Sequence, residues 1–246
     1  MSGGRPNWGI SVTDNFITNI AFAGLTAAGK TTHAKRLAKE LGYNYVCATD
    51  VLLKILGIDD PGDQIWFTRL EEIQAARGDG AIDAELEERL VIMSRTHQRT
   101  VFDTWALAWI GDDPLVRIWL ESDRESRVRK CLVSQRSGEL GPEECRDLIT
   151  EKDDFNRRMF CQRHNFDLFV DRHRYDAVLC NSHLIPEASP VVANSGIQAF
   201  APVIYSAATC VMKSDKSGAR TLKMLKPKEV ERITVSGGHC SHGKTG

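Results

Sequence analysis

Gly24-Leu25-Thr26-Ala27-Ala28-Gly29-Lys30-Thr31 decides the fold. The eight residues fit G-x-x-x-x-G-K-[ST] in full. Ahead of them residues 17–23 form an apolar, strand-like run. Behind them residues 30–41 are rich in helix formers and stop at Gly42. A strand that breaks at glycine and restarts as a helix is the setting in which this octapeptide holds phosphate. Glycines let the backbone turn tightly, and successive N–H groups with the helix start make an anion hole. Gly24, Thr26, Ala27, Ala28, Gly29, Lys30, Thr31 and Thr32 are therefore expected to cradle a nucleotide's phosphates. Lys30 is placed to reach the terminal phosphates as a catalytic cation, and the Thr31 hydroxyl to ligate magnesium.

Working outward, further strand-like runs lie at 43–48, 100–102, 116–120 and 177–180. Helical stretches lie between them, at about 64–77, 83–97, 124–136 and from Pro142 onward. Strands alternating with helices predict an α/β fold with a parallel sheet covered on both faces. Such sheets bind ligands beyond the carboxyl ends of their strands, which directs attention to Asp50, Asp103 and Asn181. Asp103 reads either as a magnesium contact or as an N-cap before Trp105-Ala106-Leu107. Asp50 reads as an acceptor contact or as a cap on the residues after it. Asn181 belongs with the nucleotide-binding group. Trp66, Trp105, Trp109 and Trp119 read as core aromatics, with Trp105 also able to line an acceptor pocket.

Arg124, Arg127, Arg129, Lys130 and Arg136 crowd one helix and its exit, and Arg129 and Arg136 share a face. The Gly-containing break 137–141 follows directly. A helical lid over about 124–158 is expected, with Arg129 and Arg136 closing on the transferring phosphates and Arg158 adding charge on the acceptor side. The alternative is a solvated basic face.

The chain of 246 residues is 42% apolar and 26% charged, too apolar for a disordered chain and ample for one full core. Its net charge of -1 argues against a nucleic-acid binder. No run approaches a membrane span or a signal peptide's apolar centre, and seven scattered cysteines fit a reducing cytoplasm. Residues 1–15 read as a flexible end and 16–212 as the folded domain. Residues 213–246, with eight Lys/Arg against three Asp/Glu, read as a basic, flexible extension. His239-Cys240-Ser241-His242 is too local for a closed metal site.

Beyond the phosphate loop, several motifs follow in order: Glu40-Leu41-Gly42-Tyr43, Ala81-Ile82-Asp83-Ala84-Glu85-Leu86, Ile118-Trp119-Leu120 and Tyr175-Asp176-Ala177-Val178-Leu179-Cys180-Asn181-Ser182. From about Asn19 to Ser182 the chain resembles the nucleoside monophosphate kinases, in particular their cytidylate-kinase-like branch. The resemblance implies a five-stranded parallel sheet, ATP as donor, magnesium, and a pyrimidine nucleotide as the small-molecule phosphate acceptor, with Asp83 in the acceptor region. The chain departs from the family where arginines hold the acceptor's phosphate. It carries Asp50-Val51-Leu52-Leu53 with only Lys54 nearby, and Asp103-Thr104-Trp105. A guanidinium fork and an indole are not interchangeable at a dianion. Read from these departures alone, ordinary cytidylate is expected to be a poor acceptor relative to the true one, with a related pyrimidine nucleotide or another small alcohol or phosphate as the alternatives. A nucleotide sensor without phosphoryl transfer is the reading from a different class.

Overall fold

The computed structural model describes residues 18–58, 65, 69–135, 138 and 140–235. Its core is a sheet of six strands in the order β2-β3-β1-β4-β5-β6. These are β1 (Asn19–Gly24), β2 (Asn44–Cys47), β3 (Thr100–Asp103), β4 (Leu115–Glu121), β5 (Ala177–Cys180) and β6 (Val230–Ile233). The first five run parallel and β6 pairs antiparallel with β5.

β1 is central and wholly buried, because both its faces are covered. Ile20 and Phe22 point into one apolar layer, where they meet Ala34, Leu37 and Ala38 of α1 (Lys30–Leu41). The same layer takes Phe200, Val203, Ile204 and Ala207 from a long helix, Pro190–Met212. Ala21 and Ala23 point into the opposite layer. That layer is filled from α2 (Ala48–Ile55), α3 (Leu70–Ala76), α4 (Ala81–Thr96) and the short α5 (Leu107–Ile110). Two further helices, α6 (Arg124–Ser134) and α7 (Pro142–His164), rise above the carboxyl end of the sheet. They pack on one another through Val128, Cys131, Cys145 and Ile149.

Two expectations are corrected here. The sheet has six strands rather than five, and the sixth comes from the segment expected to be a flexible extension. Within that segment α9 (Lys216–Leu225) buries Ala219, and β6 buries Val230 and Ile233. Lys216 and Lys223 are exposed on α9, and a charge count says nothing about its buried face. The Pro190–Met212 helix, α8, is the second correction. It is long and apolar enough to cross a membrane by length and composition. Here Phe200, Val203, Ile204, Ala207 and Ala208 pack into the apolar layer on the sheet. Residues 1–15, Trp66, Arg136 and 239–242 lie outside the described residues.

Candidate active site

The phosphate loop joins β1 to α1 at the middle of the sheet. Gly24 has φ +155°, and a Cβ there would stand 2.7 Å from the Leu120 carbonyl oxygen of the neighbouring strand. Gly29 caps α1 in the left-handed region, at φ 91°. No side chain caps the start of α1, so its first-turn amides face the cleft as an anion site should. The loop is braced from two sides. Asp153 of α7 accepts from the Thr26 amide at 2.9 Å and from Arg127 Nη1 of α6 at 2.5 Å. On the other side, Asn181 Nδ2 donates to the Ala28 carbonyl at 2.9 Å. Lys130 Nζ donates in turn to Asn181 Oδ1 at 2.5 Å and to Ser122 Oγ at 2.8 Å.

Lys30 Nζ lies 3.0 Å from the Leu25 carbonyl and 5.0 Å from the centre of the Trp105 ring. Burial lowers its pKa against the raising pull of Asp103 and Asp153. The Thr31 hydroxyl donates to Asp103 Oδ2 at 2.5 Å, and the Tyr45 hydroxyl to the same oxygen at 3.1 Å. A hydroxyl and a carboxylate meeting at the foot of an anion site are the hard oxygen donors that magnesium prefers. The residues present therefore fit a magnesium nucleotide. Asp103 is not an N-cap: α5 begins at Leu107, whose amide is met by Thr104 Oγ1.

A single cleft of about 550 Å³ runs across the loop. On the β5 side its wall includes His33, Lys130, Ile185, Ala193 and Ile197. On the β2–β3 side it includes Asp50, Arg77, Asp83, Trp105, Asn156 and Phe160. Burial holds His33 neutral, its pKa brought down to about 3 with Lys130 and Arg36 acting in the same direction. It brings Lys130 down to about 7. Arg77 places Nε and Nη2 on Asp83 Oδ1, at 3.1 and 2.7 Å, and Nη2 also on Asn156 Oδ1 at 3.0 Å. Asp83 is buried, and its Oδ2 has no hydrogen-bond partner.

The cleft thus gathers Thr26, Ala27, Gly29, Lys30, Thr31, Thr32, Asp50, Asp83, Asp103 and Trp105, all expected from the sequence. Gly24 and Ala28 lie beneath it as loop backbone. Asp50 sits in the first turn of α2 at the rim rather than at a strand end. Lys54 and Arg158 are exposed and do not line the cleft. Arg129 turns away, its Nε on the Ile185 carbonyl at 2.7 Å. Arg136 lies outside the described residues. Among the described residues the cations that line the cleft are Lys30, Arg77, Lys130 and Lys152. Arg77 and Lys152 carry no local motif. The available signal was the spacing of four that puts Leu148, Lys152, Asn156 and Phe160 on one face of α7.

The chain is similar to known kinases. The model of the cytidylate kinase-like family matches residues 19–183, from β1 past the end of β5. The cytidylate kinase of Natronomonas pharaonis is 28% identical over 185 residues, covering 74% of this chain and 91% of that protein. The cytidylate kinase of Pyrococcus abyssi is 28% identical over 182 residues, covering 72% and 92%. Among solved structures, shikimate kinase from Bacteroides thetaiotaomicron superposes with a TM-score of 0.48 at 14% identity, over 76% of this chain and 98% of that one. A phosphate loop braced between two helices and a strand end, at the centre of a cleft within the matched region, thus belongs to a kinase: this chain is a member of the cytidylate kinase-like family.

Proposed function

We propose that the chain transfers the terminal phosphoryl group of ATP to a pyrimidine nucleoside monophosphate. The donor lies on the β5 side of the loop and the acceptor on the β2–β3 side. The observation that carries the acceptor is the Arg77–Asp83 pair in a cleft that Trp105 and Phe160 also line, with Asp83 Oδ2 unpartnered among the described residues. A planar ring fits between aromatic and aliphatic walls, a contact worth about 1–3 kcal/mol where aromatics stack on bases. A buried carboxylate oxygen calls for an N–H donor on that ring. Cytosine's exocyclic amine offers one. Lys30 and the first-turn amides of α1 hold the donor's phosphates. Asp153 and Arg127 keep the loop in shape, and the half-enclosed cleft limits water. Magnesium, held by Thr31 and Asp103, would neutralise charge on the phosphates.

A second reading, transfer to an unphosphorylated acceptor, is favoured by Trp105 and by Lys54 pointing away. Steady-state ADP formation separates the two, with CMP, dCMP, UMP, cytidine and a panel of small alcohols as acceptors. With Arg77 on the acceptor side of the cleft, the expected result departs from the weak use of cytidylate read from the sequence: kcat/KM for CMP or dCMP of about 10⁴ M⁻¹s⁻¹ or above, with UMP weaker and Lys30→Ala inactive. Cytidine or an alcohol outrunning CMP tenfold would establish the second reading. Asp83→Asn should shrink the preference for CMP over UMP at least about tenfold, one lost hydrogen bond at a buried charge. An unchanged preference would remove Asp83 from the base site.

A further inference from the structure

Of the two lid arginines expected to meet the transferring phosphate, Arg129 is held by a carbonyl and Arg136 lies outside the described residues, while Arg158, expected on the acceptor side, does not line the cleft. What does reach the middle of the cleft is α7. Four residues at a spacing of four, Leu148, Lys152, Asn156 and Phe160, line it from one end to the other. The rise along such a stripe is about 6 Å per step. Phe160 and Asn156 stand at the acceptor end, where Phe160 meets Trp105 ring to ring at 6.2 Å and Asn156 receives Arg77. Lys152 stands one step closer to the phosphate loop. Asn156 fixes that step by donating Nδ2 to the Lys152 carbonyl at 2.6 Å, and Asp153 ties the next residue to Thr26 and Arg127.

We propose that Lys152 is a catalytic residue that bridges the phosphoryl group in transfer and the phosphate of the acceptor. The proposal rests on the kinase reading above and names the cation that replaces the arginines missing after β2 and β3. In the transfer an oxygen of the acceptor's phosphate bonds to the terminal phosphorus. The bond from that phosphorus to the bridging oxygen breaks, and ADP leaves with the electron pair. The attacking oxygen carries no proton, and Lys152 keeps its own throughout. Its ammonium faces charge that gathers between donor and acceptor, where a fixed cation lowers the barrier most.

The electrostatics around Lys152 agree with its place between the phosphate loop and Arg77. Burial pulls its pKa well below the ordinary lysine value, with Lys30 and Arg77 pushing the same way and Asp153 and Asp103 opposing. Two cations from the two halves of the cleft thus converge on it, which places it where donor and acceptor phosphates would meet.

The test compares wild type, Lys30→Ala, Lys152→Met and Lys152→Arg, using MgATP with CMP and a pentaphosphate linking adenosine to cytidine. Lys152→Met should lower kcat by at least about 100-fold, the scale of one removed transition-state contact, and leave the KM for ATP within about threefold. It should weaken the linked pentaphosphate at least about 30-fold and MgATP at most about threefold, because only the linked probe crosses the junction. Lys152→Arg should restore part of both losses. Wild-type kcat and wild-type pentaphosphate affinity in Lys152→Met would overturn the proposal. If Lys152→Met does not fold, Lys152→Arg and Lys152→Gln supply the same comparison. A wild-type protein that binds the linked probe no better than MgATP would instead overturn the acceptor reading, and the bridge with it.

Discussion

Lys130 sits one position past Arg129, and the 100° turn of a helix between them decides which one enters the cleft. Asp123 sets that phase by capping α6, its carboxylate accepting from the Ser126 amide at 2.7 Å. Lys130 enters and is desolvated, its pKa brought from 10.5 to about 7. Between those values the unfolded chain holds the extra proton, so unfolding free energy rises with pH through the window and the penalty is complete below it. Wild type should therefore gain stability relative to Lys130→Met as pH rises from about 7 to about 10. Urea unfolding of both proteins at three pH values measures this, and parallel trends would contradict it. The same phase explains what the sequence could and could not reveal here. The phosphate loop is contiguous, so its chemistry is legible in eight letters. Arg129 and Arg136 were chosen because they share a face, yet only the packed structure tells which face looks inward. Arg77 and Asp83 are brought together by the left-handed turn at Gly80, and no motif marks the arginine.

Among the elements, α7 meets the site along two adjacent stripes. One of its stripes lines the cleft, and the adjacent one, Cys145, Ile149 and Asp153, closes against α6 and the underside of the loop. Asp153 and Arg127 are both buried, and removing one member of such a pair leaves an uncompensated charge. Asp153→Ala should cost about 3–5 kcal/mol of stability and weaken MgATP binding, because the Thr26 amide loses its acceptor. Equilibrium urea unfolding and nucleotide titration measure the two effects. A loss under about 1 kcal/mol would show that the pair adds little beyond a surface bridge. The two helices were legible from Pro142, the glycines before it and the basic run ahead of them. The character of the break was not. Gln135 spans it, accepting from the Leu140 amide at 2.8 Å and donating to the Leu140 carbonyl at 3.1 Å. One amide side chain thus ties the two sides of the turn together.

At the scale of the whole molecule, the match to the family stops at residue 183. Beyond that point α8, α9 and β6 fill one of the two apolar layers with Phe200, Val203, Ile204, Ala207, Ala219, Val230 and Ile233. They also give the cleft Ala193 and Ile197. A chain cut at 183 should therefore lose cooperative unfolding and bind apolar dyes, with near-ultraviolet circular dichroism collapsing. A sharp melt with MgATP binding intact would show that the first 183 residues fold alone. The five parallel strands were legible because each is a short apolar run set between helical stretches. β6, a four-residue strand among lysines, was hidden by its neighbours. The position of α8 in the chain has a consequence for synthesis. On the ribosome, the 23 residues of α8 emerge over about one to five seconds at about 5–20 residues per second. The parallel strands they cover have already been made. The nascent protein thus has a docking groove ready when its greasiest segment appears, and translation order itself acts as that helix's chaperone.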